Sequence, residues 1–286
     1  MFHTGLPLVP EERKVSQLTP EVVADFMSRF FTPERIILSG TNVQHSDLVA
    51  LAEQSLGPVK GGSSTSDPEA KYTGGSSKLT GDGGAYVAIG YKGVSWPDKD
   101  LVPVCVLANL LGGGGSFSSG GPGKGMYTRL YTEILNRHGW VASAHSFNEC
   151  YKDAGVFGIQ ASTLDPGHLN NLVEVVSAQI AKMSNAPSKE ELNRAKAMQK
   201  TSLLMNLESR LVVCEDIGRQ MLSYGQYKEP KELVEAIEKV TAEDLQRVAS
   251  RMLQSKPTIV MYGDSFDTYS YDMITSSIKS QAKQLT

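Results

Sequence analysis

The 286-residue chain has only five histidines, three cysteines and two tryptophans. No two of His3, His45, His138, His145 and His168 lie within five residues of each other. The spacing H-x-x-E-H, which puts two imidazoles and a carboxylate on one helix face to hold zinc and activate water, is therefore absent from the chain. His145-Ser-Phe-Asn-Glu149 comes nearest, but it ends in Cys150 and reads as strand, so His145 is expected to be an ordinary packed or surface histidine. Cys105, Cys150 and Cys214 are scattered among apolar neighbours without C-x-x-C spacing, which suits buried free thiols in a reducing compartment. No G-x-S-x-G occurs and no cysteine has a base marked nearby, which excludes the recognisable forms of nucleophilic catalysis. Positive charge is not in excess either. A net charge of −3 with no basic face argues against nucleic acid as a partner. No apolar run approaches the roughly 18–20 residues of a membrane span, since VPVCVLANLL (102–111) is too short. The opening MFHTGLPLVPEERK has no apolar core and carries two glutamates, so no targeting segment is expected on this chain.

Glycine is what the chain has in excess, and in one place. Between Leu111 and Met126 stand Gly112, Gly113, Gly114, Gly115, Ser116, Phe117, Ser118, Ser119, Gly120, Gly121, Pro122, Gly123, Lys124 and Gly125. Such a run costs folding entropy and returns few side-chain contacts. It is not a phosphate loop. Gly123-Lys124 has Ser118 where the first glycine of that motif belongs and Gly125 where Ser or Thr belongs. The run also follows a helical segment rather than a strand, unlike a dinucleotide fingerprint. Phe117 and Pro122 set it apart from a plain spacer. Bare backbone N–H and C=O groups suit it to gripping an extended peptide main chain without demanding a particular side chain.

An internal similarity organises the rest. LTPEVVADFMSRFFTPERIILSG (18–40) resembles VTAEDLQRVASRMLQSKPTIVMYG (240–263), with Thr19 and Thr241 separated by 241 − 19 = 222 residues. Each unit has a Thr-x-Glu helix start, helix-spaced apolar residues, Ser-Arg, then Pro and a β-branched run ending at glycine. The first copy has 18 residues ahead of its threonine, the second roughly 160. The chain thus reads as a fragment, or a short relative, of a longer two-domain protein. Residues 1–57 are read as the C-terminal remnant of a first domain. The Gly/Ser-rich stretch 58–83 is a linker by composition, and 84–286 form the second domain.

Within the second copy the pattern predicts strands at 85–93, 140–149 and 155–163, the last two joined by a turn at YKDA. Helices are expected at 98–111, at 126–137, from near Gly167 and from near Ser188. In the last of these, Leu204, Leu207, Leu211, Cys214, Ile217 and Met221 form one apolar stripe. Blocks of strands and helices in this order suggest an α+β sheet with helices over one face.

GGGGSFSSGGPGKGMYTRLY, followed by LNRHGWV, SAHSFN and YKDAGVFGI, resembles the alpha subunits of the mitochondrial processing peptidases. These belong to the inverzincin-type pitrilysin and bc1 core protein superfamily. LPLVPEE, TPERIILSGTNVQHSDLV, MNLESR and EDIGRQ agree with it, over about residues 6–264. The resemblance implies two related α/β-sandwich halves, the first truncated here. It implies a non-catalytic subunit whose glycine-rich loop, residues 112–125 here, captures the N-terminal presequences of imported precursors. A zinc-bearing beta subunit would cleave them, so zinc is expected on the partner and no cofactor on this chain. It places the chain in the mitochondrial matrix, with the structural core of the cytochrome bc1 complex, at the inner membrane, as the alternative or additional role. An active peptidase whose zinc site lies in a first domain is the third reading. Presequences are basic, so carboxylates belong on a receptor surface. Glu208, Glu215 and Asp216 flank the apolar stripe and are the candidates, with ordinary helix-surface pairing of Glu215 and Arg219 as the alternative.

Overall fold

The computed structural model describes residues 12–59, 69–116, 126–264 and 267–285. Their contacts divide them into two compact units. One takes in the described residues from Lys71 to Leu204 and from Lys228 onward; the other takes in those up to Ala70 together with Met205–Tyr227.

The first unit is built on one mixed six-stranded sheet. Its strands are β1 (Gly75–Leu79), β2 (Ala85–Lys92), β3 (Gly113–Gly115), β4 (Val141–Cys150), β5 (Gly155–Thr163) and β6 (Thr258–Tyr262), in the spatial order β1-β6-β2-β5-β4-β3. Only β1 and β6 are parallel. Period-two alternation sorts the side chains. Val87 and Ile89 of β2 face the same side as Ala161 and Ile159 of β5, their register partners, and all four are buried. Tyr86, Gln160 and Tyr262 point the other way. The expected strands and the turn at Tyr151–Ala154 are present. The expected linker stretch contributes β1, an edge strand drawn in by pairing with β6.

Helices cover one face of this sheet. The second unit, which begins the described chain, holds α1 (Glu12–Val15), α2 (Pro20–Phe30) and α3 (His45–Leu56). On the sheet, α4 (Leu101–Leu111) packs against β4, and α5 (Leu169–Ala181) lies across β5 and β2. Pro103 sits in the first turn of α4, where its missing N–H has no intrahelical role to lose. Next come α6 (Lys189–Asn206), α7 (Arg210–Tyr224), α8 (Pro230–Lys239) and α9 (Ala242–Leu253). α9 packs on α4 and β2, and α10 (Tyr271–Leu285) forms an outer layer on α5.

The structure departs from the sequence pattern at several elements. The long helix from Ser188 is two helices, α6 and α7, broken at Leu207–Ser209, where Glu208 and Ser209 donate their amides to Met205 and Asn206 in tight turns. The stripe through it is not a buried face: Leu204 and Leu211 are exposed. The helix expected at 126–137 is a π-helical turn, Tyr131–Leu135, which tucks Tyr131, Ile134 and Leu135 under the sheet edge. Finally, the acid that completes the cap of α9 is Asp244, not Glu243. Thr241 Oγ1 accepts from the Asp244 amide while the Asp244 carboxylate accepts from the Thr241 amide.

The three cysteines are free but half-buried rather than buried. Cys105 Sγ accepts from Asn148 Nδ2, and Cys150 Sγ donates to Asn148 Oδ1. Burial pushes the two thiols up to about 11 and about 12, so both stay protonated and unreactive at neutral pH.

One ion cluster ties α4 to α9. Asp100, just ahead of α4, is buried and accepts two hydrogen bonds from Arg247, each 2.9 Å, and one of 2.8 Å from Arg251. The Arg247 guanidinium holds the Asp100 carboxyl below the usual carboxylate range.

Candidate functional site

The glycine run begins at the C-terminus of α4. Gly112 caps that helix with φ +61° and donates its amide to Ala108 O at 2.7 Å. Gly113–Gly115 then run as β3, the edge of the sheet, paired with Ser143–His145 of β4.

Why glycine stands here differs from one position to the next. At Gly113 φ is +118° and a Cβ would lie 2.1 Å from Ala144 O. At Gly114 it would lie 1.9 Å from the Tyr131 hydroxyl. At Gly115 the nearest atom would be 3.9 Å away, so that position is open. The first three glycines of the run are thus required by the fold itself. Gly113→Ala is expected to lower stability by about 1–3 kcal/mol through strain and overpacking, while Gly115→Ala changes it by less than about 0.5 kcal/mol. Urea denaturation midpoints check both. Phe117–Gly125, the remainder of the candidate loop including Pro122 and Lys124, lie outside the described residues.

Beside β3, on the sheet face opposite α4, α5 and α9, lies a cavity of about 400 Å³. Tyr86, Ser143, His145, Gln160, Ser162 and Tyr262 line it. Ser143 and Ser162 share a hydroxyl hydrogen bond of 2.6 Å across β4 and β5. The Tyr86 and Tyr262 rings meet edge to face with centroids 5.8 Å apart. Among the described residues the lining offers hydroxyls, an imidazole and an amide, with no carboxylate and no ammonium. Such a surface hydrogen-bonds neutral main-chain groups and stacks on flat or cationic side chains. Sequence reading missed this cavity, although the signal was there: Tyr86, Ser143, His145, Gln160 and Ser162 all fall on one parity of their strands. His145, read as a bland packed or surface residue, is part of the lining.

The acidic candidates belong to the other unit. Glu208 is exposed in the turn between α6 and α7, so it does not share a helix face with the other two. Glu215 accepts a 2.8 Å hydrogen bond from Arg219, and Asp216 one of 2.7 Å from Gln220. The expected two-turn acidic strip on one helix is therefore absent because the helix breaks before it. Among the described residues, no group of three or more His, Cys, Asp or Glu side chains is placed to hold a metal ion, and no helix is long and apolar enough to cross a membrane.

Residues 17–199 match the family profile described as the Peptidase M16 inactive domain. The chain is 37% identical over 299 residues to the mitochondrial-processing peptidase subunit alpha of Homo sapiens, covering 98% of this chain and 57% of that protein. For the subunit alpha of Caenorhabditis elegans the identity is 41% over 265 residues, covering 85% and 51%. For that of Solanum tuberosum it is 34% over 283 residues, covering 97% and 56%. The chain thus spans a little over half the length of these curated relatives. A chain in the structure of complex III2 from Candida albicans superposes with a TM-score of 0.83 at 20% identity, over 96% of this chain and 66% of that one. By the profile match, which takes in more than half of its residues, the chain belongs to the M16 peptidase family, through that family's inactive domain.

Proposed function

We propose that the chain is a non-catalytic, substrate-recognition subunit of a mitochondrial processing peptidase. It captures the N-terminal presequences of imported precursors with the glycine-rich loop, residues 112–125, for cleavage by a zinc-bearing beta subunit in the mitochondrial matrix. One observation carries the reading: the loop leaves α4 as an edge strand whose β4 partners, Ser143 and His145, line a hydrogen-bonding cavity on the sheet face opposite α4, α5 and α9. An extended leader peptide held by bare loop backbone would lie beside groups that accept main-chain hydrogen bonds without selecting a side chain. The similarity to curated alpha subunits supports it.

In this reading residues 1–57 are the C-terminal part of a first peptidase-like domain, 58–83 the linker and 84–286 the second domain. Glu208, Glu215 and Asp216 are second-tier contacts for presequence arginines. Glu208 is the strongest of them, since the other two carboxylates already hold Arg219 and Gln220. Zinc belongs to the partner, and this chain's work is binding and orientation.

The test is reconstitution with a beta subunit and a fluorogenic presequence peptide. Cleavage should require both chains, and the peptide should bind the pair more tightly than the beta subunit alone. Equal peptide binding with and without this chain, with the pair still assembled, would instead favour a structural role of the kind played by core subunits of the bc1 complex.

A further inference from the structure

A cavity of about 260 Å³ opens between α5 and α10, and its whole lining belongs to the unit built on the sheet. α5 supplies Val173, Glu174 and Ser177. α10 supplies Met273, Ile274 and Ser277, with Tyr269 just ahead of it. Residues three and four apart share a helix face, which is why each helix turns its three toward the same space. Exposure separates floor from rim. Val173, Ser177 and Ile274 are buried, whereas Glu174, Met273 and Ser277 are exposed.

Hydrogen bonds hold this cleft in shape. Asn170 clasps the approach to α10, its Nδ2 donating to Asp267 O at 3.0 Å and its Oδ1 accepting from the Tyr269 amide at 3.3 Å. Lys78 Nζ donates to Thr268 O at 3.2 Å. Ser270 Oγ accepts from the Met273 amide at 3.2 Å, which fixes the first turn of α10.

Two polar groups face this mostly apolar space with capacity to spare. Ser177 is only 2% exposed, and its Oγ has no hydrogen-bond partner among the described residues. A helix serine can bond back to the carbonyl four residues earlier, and here it does not. Buried hydroxyls are normally partnered. A water there would need roughly two to four polar contacts, and the buried neighbours in the lining, Val173 and Ile274, bring apolar side chains. At the rim, Glu174 accepts from the Tyr269 hydroxyl, and among the described residues no cation pairs with it. An apolar cleft with a few convergent polar groups is the usual form of a small-molecule site.

We propose that the cleft between α5 and α10 binds a small amphipathic amine. Its apolar body lies over Val173, Ile274 and Met273, its ammonium meets Glu174 at the rim, and a hydrogen-bonding group at its other end reaches Ser177. This stands on the cavity and the unpartnered hydroxyl, independently of the function proposed above.

Tyramine carries that pattern, an aromatic body between an ammonium and a hydroxyl, and serves as the probe. With the 286-residue chain it is expected to bind 1:1 by calorimetry with a Kd of about 1 mM or tighter. In protein with labelled methionine methyl groups it should shift the Met273 resonance, which is assigned by its loss in Met273→Leu. Ser177→Ala should weaken tyramine about three- to tenfold, while phenethylamine, which lacks the hydroxyl, binds both chains alike. The melting temperature should hold or rise in that variant, since the hydroxyl gives up no partner. Glu174→Gln should weaken tyramine about threefold and remove the salt dependence of binding. No saturable shift of Met273 up to about 10 mM tyramine overturns the proposal. So does equal tyramine affinity in Ser177→Ala, or phenylacetate binding as tightly as tyramine.

Discussion

Replacing Phe117–Gly125 with an equally long run of alanine and serine is expected to reduce presequence cleavage by the reconstituted pair about tenfold or more, a loss of at least about 1.4 kcal/mol of binding to the reacting peptide. The melting temperature should hardly change. The geometry of the anchored end explains why these two outcomes separate. Gly112, Gly113 and Gly114 are held by the cap of α4, by Ala144 O and by the Tyr131 hydroxyl, and altering them damages the fold before it tests recognition. A deletion of the whole run 112–125 would mix the two effects. Limiting the change to Phe117–Gly125 leaves β3 and its pairing with β4 in place, so a loss of cleavage reports on peptide capture. If KM rises with kcat unchanged, the loop supplies binding felt equally by bound substrate and transition state; a fall in kcat would mean that it also aligns the scissile bond.

The second large effect concerns stability. Arg247→Ala together with Arg251→Ala is expected to cost about 3–5 kcal/mol, because it strands the Asp100 carboxylate, whose side chain is only 4% exposed. Asp100→Asn should cost less, since it leaves two guanidinium groups that are nearly half exposed and keep their water. The effect has a definite pH dependence. Hydrogen bonding from Arg247 lowers the folded-state pKa of Asp100. The stability it contributes is therefore fully present above the unfolded-state pKa of about 3.9 and is lost as pH falls through the lower folded value. Urea denaturation at pH 7 should show the full gap between the unsubstituted protein and the double variant, and the gap should close as the pH drops below 4. A gap that does not depend on pH would assign the cost to lost packing of the arginine stems instead.

Much of the architecture could be read from residue order because the local signals agree with one another. Alternation in AYVAIGYK and GVFGIQAST names the faces of β2 and β5, and Thr241 announces the start of α9. The failures are where tertiary context outweighs local pattern. Residues 204–221 keep a helical apolar spacing, yet the backbone turns at Leu207–Ser209 and the stripe is left largely in water. β1 has a linker's composition, and only its parallel pairing with β6, almost two hundred residues away in sequence, makes it a strand. The glycine run was legible as an unusual object but not as two objects. A helix cap and edge strand demand the first three glycines, and that demand comes from Ala144 and Tyr131, which nothing in the run itself reveals. The cavity was hidden for a similar reason, because its lining is assembled from four strands of which only β4 and β5 are neighbours in sequence.

The central claim is that a leader peptide passes along β3 and over the cavity beside it. Gly115 is the position from which to ask, since a side chain there meets open space. A photoreactive phenylalanine derivative at position 115, in the assembled pair with a labelled presequence peptide, should cross-link to that peptide, and excess unlabelled presequence should compete the cross-link away. The same derivative at Lys279, exposed on α10, should give none. No cross-link from position 115, or equal yields from both positions, would contradict the account.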